Sequence, residues 1–241
     1  MSGHSKWNNI KHKKEKADAA KAKIFTKIGK EMAVAIKEGG PDPSNNSKLR
    51  DLIAKAKANN VPNENIQRTI KKFTDNSDIN YEEITYEGYG PSGVAIIVET
   101  STDNRNRTAG NVRAAFNKYG GNLGQNGCVG FLFEEKGVIT IVDEDEELDE
   151  DKVMEDALEC GAEDIKCDEG EYTIYTSVDD FAAVREAVIS MGYTLATADL
   201  AKVPSTYVDL TSEDDIENME KMLDKFNEDD DVNAVYHNWN A

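Results

Sequence analysis

The sequence has 241 residues, of which 39% are hydrophobic, and its formal net charge is −19. That length and apolar content allow two or three ordinary domains with hydrophobic cores. The three cysteines lack CxxC spacing, which argues against a disulfide framework and against a zinc site. No stretch nears the ~18 apolar residues that a membrane span needs. The sequence therefore predicts a cytoplasmic protein with free thiols.

The charge is distributed unevenly along the chain. Residues 1–75 hold 17 of the 28 Lys and Arg residues but 8 of the 47 Asp and Glu residues, a balance of +9, whereas the other 166 residues carry −28. A polyanion is attracted by the first part and repelled by the second. Nucleic acid is therefore the predicted partner of the basic part, and the acidic part is expected to face away from it or to bind a protein.

The chain begins with a polar, basic segment, residues 1–17, in which lysines surround one indole and one imidazole ring. Basic residues interleaved with rings that can stack on bases are typical of proteins that bind single-stranded or distorted nucleic acid. The candidate binding residues of this segment are Lys6, Trp7, Lys11, His12, Lys13, Lys14 and Lys16.

A first helix is predicted from about Asp18 to Glu38, because apolar residues recur at helical spacing until Gly39-Gly40-Pro41 ends the pattern. Four lysines share the face opposite the apolar one: Lys23, Lys27, Lys30 and Lys37. The stripe is either an ordinary solvated face or, as the neighbouring basic segment favours, a phosphate-binding surface. Two shorter helices, from about Ser47 to Asn59 and after Pro62, complete a predicted three-helix bundle.

Beyond Asp75 the pattern becomes mixed. Strands are predicted at Ile84–Glu87, Val94–Glu99 and Val129–Phe133, with a helix from Asp103 to Tyr119 between the last two. The order strand, helix, strand, strand, helix, strand follows from Val138 to Lys202, and this order is the ferredoxin-like signature. A strand (Tyr207–Leu210), a helix (Glu213–Phe226) and a strand (Val232–His237) end the chain.

The closing elements would complete the sheet that begins at Ile84, which predicts that the ferredoxin-like unit is inserted into the middle domain. The predicted domains are a basic helical domain with its tail (1–78), an α+β domain in two pieces (79–134 and 205–241) and the inserted ferredoxin-like α+β domain (135–204). The predicted fold class is therefore multidomain, α and α+β.

The segment Thr102–Arg107 opens the helix of the middle domain, where free N–H groups and a positive dipole end favour anions. Arg105 and Arg107 would there grip a phosphate or carboxylate. The alternative, to which the sequence gives equal weight, is a capped helix whose arginines pair with acidic residues of the same domain.

Two further motifs are assigned structural roles. The glycine-rich run Gly120–Gly127 follows a helix and precedes a strand, the reverse of a phosphate loop, so a turn is predicted. The acidic run Asp143–Asp151 lacks the glycine and glutamate of a calcium loop and is predicted to be a solvated loop.

No catalytic constellation stands out. The three histidines are His4, His12 and His237, and none has a partner at the spacing of a known catalytic motif. The prediction is therefore a protein that is not an enzyme and that uses no cofactor and no metal.

The chain resembles the YebC family of probable transcriptional regulatory proteins, which also includes mitochondrial translational activators. The similarity runs essentially end to end and is densest in long motifs such as GHSKWNNIKHKK (Gly3–Lys14), YEGYGPSGVAIIVET (Tyr86–Thr100) and TDNRNRTAGNVR (Thr102–Arg113). Ser92 and Cys128 stand where the resemblance leads us to expect Gly and Ser.

The resemblance implies a three-helix bundle followed by two α+β domains, the third inserted in the second. It implies a DNA-binding regulator of transcription, or alternatively a ribosome-associated factor that binds ribosomal or transfer RNA and helps translation. Carried onto this chain, the nucleic-acid-binding residues are those of Gly3–Lys14, the lysine helix and, less directly, Asn104–Arg107. The sequence leaves the oligomeric state open.

Overall fold

In a computed structural model, which describes residues 17–75, 80–143, 148–168 and 170–240, three helices come first, and helices and strands are mixed from residue 82 onward. The helices are α1 (Ala17–Gly39), α2 (Ser47–Ala58), α3 (Asn63–Asp75), α4 (Arg105–Lys118), α5 (Glu150–Glu159), α6 (Phe181–Ser190) and α7 (Glu213–Glu228). The strands are β1 (Glu82–Tyr89), β2 (Ala95–Thr102), β3 (Asn122–Leu123), β4 (Phe133–Val142), β5 (Asp164–Asp168), β6 (Glu171–Thr176), β7 (Leu195–Pro204) and β8 (Val232–His237).

Helices α1, α2 and α3 form a bundle around one small apolar core. Ile28, Met32, Leu49 and Ile66 are almost completely buried in it. These residues come from all three helices, so each helix buries one stripe against the other two. The three-helix bundle predicted from the apolar spacing is therefore present.

The turn between α1 and α2 is organised by the buried amide of Asn46. Its Nδ2 donates to the carbonyl oxygens of Ala35 and Gly40, each at 2.8 Å, while its Oδ1 accepts from the Leu49 N–H at 3.0 Å. The side chain thus caps α2 and at the same time bonds to the carboxyl end of α1. A Cβ at Gly39 would lie 2.8 Å from this amide, so a glycine is needed there.

The first sheet has the antiparallel order β3-β1-β2-β8, and α1 contacts three of its strands. Helices α4 and α7 pack on it around Phe116 and Phe226, whose ring centroids are 5.2 Å apart. Strand β8 pairs with β2 although the whole second sheet separates them in the chain. The fold therefore returns to its first sheet only after the second has been completed.

The second sheet has the antiparallel order β5-β6-β4-β7, with α5 and α6 packed on a core that includes Ile139, Ile174 and Phe181. Its element order, βαββαβ, is ferredoxin-like. Residues 133–205 form one compact unit, and the described residues before Phe133 form the other together with residues 206–240. The predicted fold class is confirmed, while the domain boundaries at residues 79, 135 and 205 stay a prediction.

Two predicted strands are absent from the described residues. Instead of a strand at Val129–Phe133, a 3-10 turn spans Gly130–Leu132 and β4 begins at Phe133, because the N–H groups of Val129 and Gly130 bond to the Glu87 carboxylate. The predicted strand Tyr207–Leu210 is reduced to one parallel bridge between Val208 and Trp239. The two-residue strand β3 was not predicted, because it is too short to show alternation.

The described part of the chain shows no helix that is long and apolar enough to cross a membrane. All three cysteines are half-buried free thiols. Burial raises the pKa of each of them, the largest further contribution at Cys128 being the charge of Glu87. The thiols are therefore protonated near neutral pH and are poor nucleophiles.

Replacing Asn46 by alanine removes all three hydrogen bonds and leaves buried carbonyl groups without this donor. We expect the free energy of unfolding to fall by about 1–3 kcal/mol. The matched control is Asn45→Ala, since Asn45 is exposed and its amide bonds only to Asp42. Urea unfolding measures both; equal losses in the two variants would contradict the capping role.

Candidate nucleic-acid interface

The candidate residues of the basic segment, Lys6, Trp7, Lys11, His12, Lys13, Lys14 and Lys16, lie outside the described residues. The structure does describe the side chains of Lys23, Lys27, Lys30, Arg105 and Arg107. The first three lie on α1, and the two arginines lie in the first turn of α4.

The lysines of α1 contact an acidic turn, which we define as residues 227–231, at the carboxyl end of α7. Lys23 donates to the carbonyl oxygen of Glu228 and lies 3.7 Å from an Asp230 carboxylate oxygen. Lys27 donates to the carbonyl oxygen of Asn227 at 3.1 Å. The last carbonyls of a helix lack partners within the helix and carry its negative dipole end, so ammonium groups stabilise this position.

Lys30 continues the same pattern one turn further along α1. Its ammonium group donates to the carbonyl oxygen of Asp230 at 2.9 Å and to the Asp231 carboxylate at 2.6 Å. Lys37, at the end of the stripe, donates instead to the Asn80 side chain. An acidic turn of the same chain therefore lies on three of these lysines.

Asp231 is the centre of this contact. Its side chain is 5% exposed and accepts from the Arg107 guanidinium at 2.6 Å and from the Thr108 hydroxyl at 2.8 Å, in addition to Lys30. One buried carboxylate thus bonds to α1 and to α4 at once. Burying a charge is costly unless it is paired and fully hydrogen-bonded, and here both conditions are met.

The bonds to Asp231 determine its protonation. Burial by itself would raise its pKa, but the hydrogen bonds from Lys30, Arg107 and Thr108 outweigh this effect and lower the pKa to about 2. The carboxylate is therefore charged throughout the neutral and mildly acidic range.

The two arginines of α4 have different surroundings. The Arg107 guanidinium bonds to Asp103 at 2.9 Å as well as to Asp231, and the backbone N–H of Arg107 donates to the capping side chain of Asn104. For Arg107 the structure thus supports the capped-helix alternative. The side chain of Arg105 is 68% exposed, and its guanidinium lies 3.9 Å from Glu82.

An open cavity of about 450 Å³ lies beside these groups. Its lining consists of Lys30, Arg107, Asn111, Glu228, Asp229, Asp230 and Asp231. Four carboxylates against two cations give this cavity a net negative charge, so it repels phosphate as it stands.

Other cations of the bundle are exposed to solvent, and the sequence analysis did not select them. They are Arg50 and Lys57 on α2, and Arg68, Lys71 and Lys72 on α3. The available signal in the sequence was the density of basic residues on these helices.

In the loop of the glycine-rich run and the residues that follow it, the N–H groups bond to a carboxylate of the chain itself. Glu87 accepts from the N–H groups of Gly127 at 2.8 Å, Val129 at 2.9 Å and Gly130 at 2.7 Å. A ring of N–H groups is an anion-binding arrangement, and here the anion is internal. The predicted structural turn is thus present, and the Glu87 carboxylate, which the motif alone does not reveal, stabilises it.

The residues that the structure describes contain no group of three or more His, Cys, Asp or Glu side chains that could hold a metal ion. His237 lies at the end of β8, where burial lowers its pKa to about 4, so the imidazole is neutral near pH 7.

Comparison with known proteins places the chain in a protein family. A model of the TACO1/YebC protein N-terminal domain matches residues 5–76, and a model of the TACO1/YebC second and third domain matches residues 81–239. Together they cover nearly the whole chain.

Relatives of similar length share more than half of their residues with this chain. A probable transcriptional regulatory protein of Agathobacter rectalis is 58% identical over 240 residues, and one of Acetivibrio thermocellus is 55% identical over 240 residues, each comparison covering 99% of both chains. A crystal structure of a conserved hypothetical protein from Aquifex aeolicus matches with a TM-score of 0.84 and 41% identity, covering 92% of this chain and 91% of that one.

Replacing Asp231 by asparagine should lower the free energy of unfolding by on the order of 3 kcal/mol at pH 7, because Lys30 and Arg107 lose their shared anion. The folded pKa of about 2 lies below the ordinary value of 3.8. The stabilisation by the carboxylate is therefore complete above about pH 4 and is lost as the pH falls toward 2. Urea unfolding across this range should show the two proteins converging.

The control for this experiment is Asp230→Asn, since the Asp230 side chain is 65% exposed and its ion pair with Lys23 is long. An exposed pair contributes less than about 1 kcal/mol. A pH-independent difference between wild type and Asp231→Asn would contradict the assigned pKa.

Replacing Glu87 by glutamine keeps its size but leaves one accepting oxygen for three N–H groups. We expect a loss of about 1–3 kcal/mol and faster hydrogen exchange at Val129 and Gly130. Glu83→Gln on the same strand, where the partner is the exposed Lys48, should change stability by less than about 1 kcal/mol. Similar exchange rates in both variants would speak against an anion-filled loop.

Proposed function

The chain belongs to the TACO1/YebC family, and on that basis we propose that it is a DNA-binding regulator of transcription that acts without catalysis. Relatives with more than half of their residues identical carry the name probable transcriptional regulatory protein. The observation that carries the proposal is the charge distribution: +9 on residues 1–75 and −28 on the rest. Such a charge distribution attracts a polyanion to the first third of the chain and repels it from most of the remainder.

Among the described residues of the basic end, the exposed cations that this proposal uses lie on α2 and α3. Arg50, Lys57, Arg68, Lys71 and Lys72 are exposed there. The proposed interface consists of these cations, the basic segment from Lys6 to Lys16, and the exposed guanidinium of Arg105. Contacts to phosphates from such residues supply affinity and orientation, whereas sequence is read by contacts to base edges.

The proposed interface does not include the α1 lysines Lys23, Lys27 and Lys30. The acidic turn occupies their ammonium groups, so in this conformation they join α1 to the carboxyl end of α7. They would contact phosphates only by exchanging that turn for nucleic acid. Arg107 is engaged in the same way through Asp231.

Gel shifts with the full chain test the proposal. We expect promoter duplexes to bind more tightly than random duplexes of equal length. We also expect the logarithm of the binding constant to fall with the logarithm of salt concentration with a slope as steep as about −10, since the proposed interface contains eleven cations. The variant Arg50→Ala/Lys57→Ala should flatten that slope by about 2.

The matched control removes the same charge from the acidic part. Lys221 and Lys225 on α7 are about half exposed and pair with glutamates of their own helix, so Lys221→Ala/Lys225→Ala should leave DNA affinity unchanged. Equal binding to every duplex would overturn regulation of specific promoters. Preference for ribosomal or transfer RNA over DNA would move the protein to the translation alternative.

A further inference from the structure

A groove of about 270 Å³ runs between α1 and α3 on the helical bundle. Its lining residues are Phe25 from α1 and Asn65, Arg68, Thr69 and Lys72 from α3. The four α3 residues follow the spacing of one helical face, so their side chains are neighbours along the groove. The groove therefore combines one aromatic ring with two cations, an amide and a hydroxyl group.

Phe25 is less buried than a phenylalanine in a small helical bundle usually is. Its neighbours Ile28 and Met32 on α1 are 1% and 0% exposed in the core, whereas Phe25 is half-buried and is not part of the core cluster. A phenylalanine ring offers a large apolar area that a bundle of this size ordinarily buries. Here part of that area lines a groove open to solvent.

The two cations of the groove have none of the partners that occupy the α1 lysines. The Arg68 guanidinium donates to the Asn65 side-chain oxygen, and the Lys72 ammonium lies 5.1 Å from the centre of the Phe73 ring. No carboxylate among the described residues forms an ion pair with either of them. Both charges are exposed and lie one helical turn apart.

These groups match the parts of a single nucleotide. An aromatic ring stacks on a base of any identity, and Arg and Lys neutralise the phosphate of the same strand. The Asn65 amide and the Thr69 hydroxyl supply donors and acceptors near the base edge. A base can stack on a side chain only when it is not stacked within a duplex.

We propose that this groove binds one unpaired nucleotide of a nucleic-acid strand, with its phosphate on Arg68 and Lys72 and its base on the ring of Phe25. The inference rests on the proposed nucleic-acid-binding function and names a contact for it. It adds a preference for unpaired strands that the charge distribution does not contain, because phosphate contacts alone do not detect whether a base is unstacked.

Fluorescence anisotropy with the full chain tests this inference, using labelled oligothymidylate, oligouridylate and a duplex of the same length. The variant Phe25→Leu keeps an apolar side chain but loses the ring, and we expect about tenfold weaker binding of single strands with less than twofold change for the duplex. The two single-stranded probes separate DNA from RNA; weaker binding of either one by the variant than by wild type supports the groove.

A second variant, Arg68→Gln/Lys72→Gln, changes only exposed residues and so preserves the fold. It should weaken single-strand binding and flatten the salt dependence by about 1.4, the value for two phosphates on a single strand. The matched control is Lys118→Gln, because Lys118 is also exposed and also lies 5.1 Å from an adjacent ring, that of Tyr119. It should bind as wild type does.

The outcomes separate the two proposals. If wild type binds single strands and both groove variants bind equally well, the groove assignment is wrong and the nucleic-acid-binding function stands. The same conclusion follows if wild type binds only duplexes. If wild type binds none of the probes, nor the promoter fragments, at low salt, the function itself fails and the groove assignment fails with it.

Discussion

A single buried carboxylate, Asp231, determines how helix α1 lies against the first sheet. It accepts hydrogen bonds from Lys30 on α1 and from Arg107 and Thr108 on α4, and it directly precedes β8. Without these donors the charge would be too costly to bury; without the carboxylate two cations would face each other. The bundle, the first α+β layer and the last strand are therefore held in one arrangement by a group from the end of the chain.

The same contact shows what a sequence can and cannot predict. The spacing of apolar residues predicted α1, and the 100° rotation per residue placed Lys23, Lys27 and Lys30 on one face. Their partner could not be predicted, since about 200 residues separate the lysines from the acidic turn. The periodicity of a helix shows which of its faces is polar. Which other segment packs on that face depends on the tertiary fold.

The elements that were predicted wrongly fail for a related reason. Val129 to Phe133 has the composition of a strand, but a carboxylate on β1 takes the N–H groups that a strand would need. The resemblance to the YebC family, carried by long motifs, is confirmed by the family models that match both parts of the chain. Of the candidate site, the charge imbalance was readable from composition, while the groove at Phe25 was not, because it depends on a ring that the core leaves out.

The acidic turn is synthesised long after the lysines that it contacts. A ribosome extends a chain by about 5–20 residues per second, and Lys30 and Asp231 are 201 positions apart. The ammonium groups of α1 thus emerge on the order of 10–40 seconds before their carboxylate exists. During that interval the lysines of α1 lack the acidic turn that covers them in the folded protein.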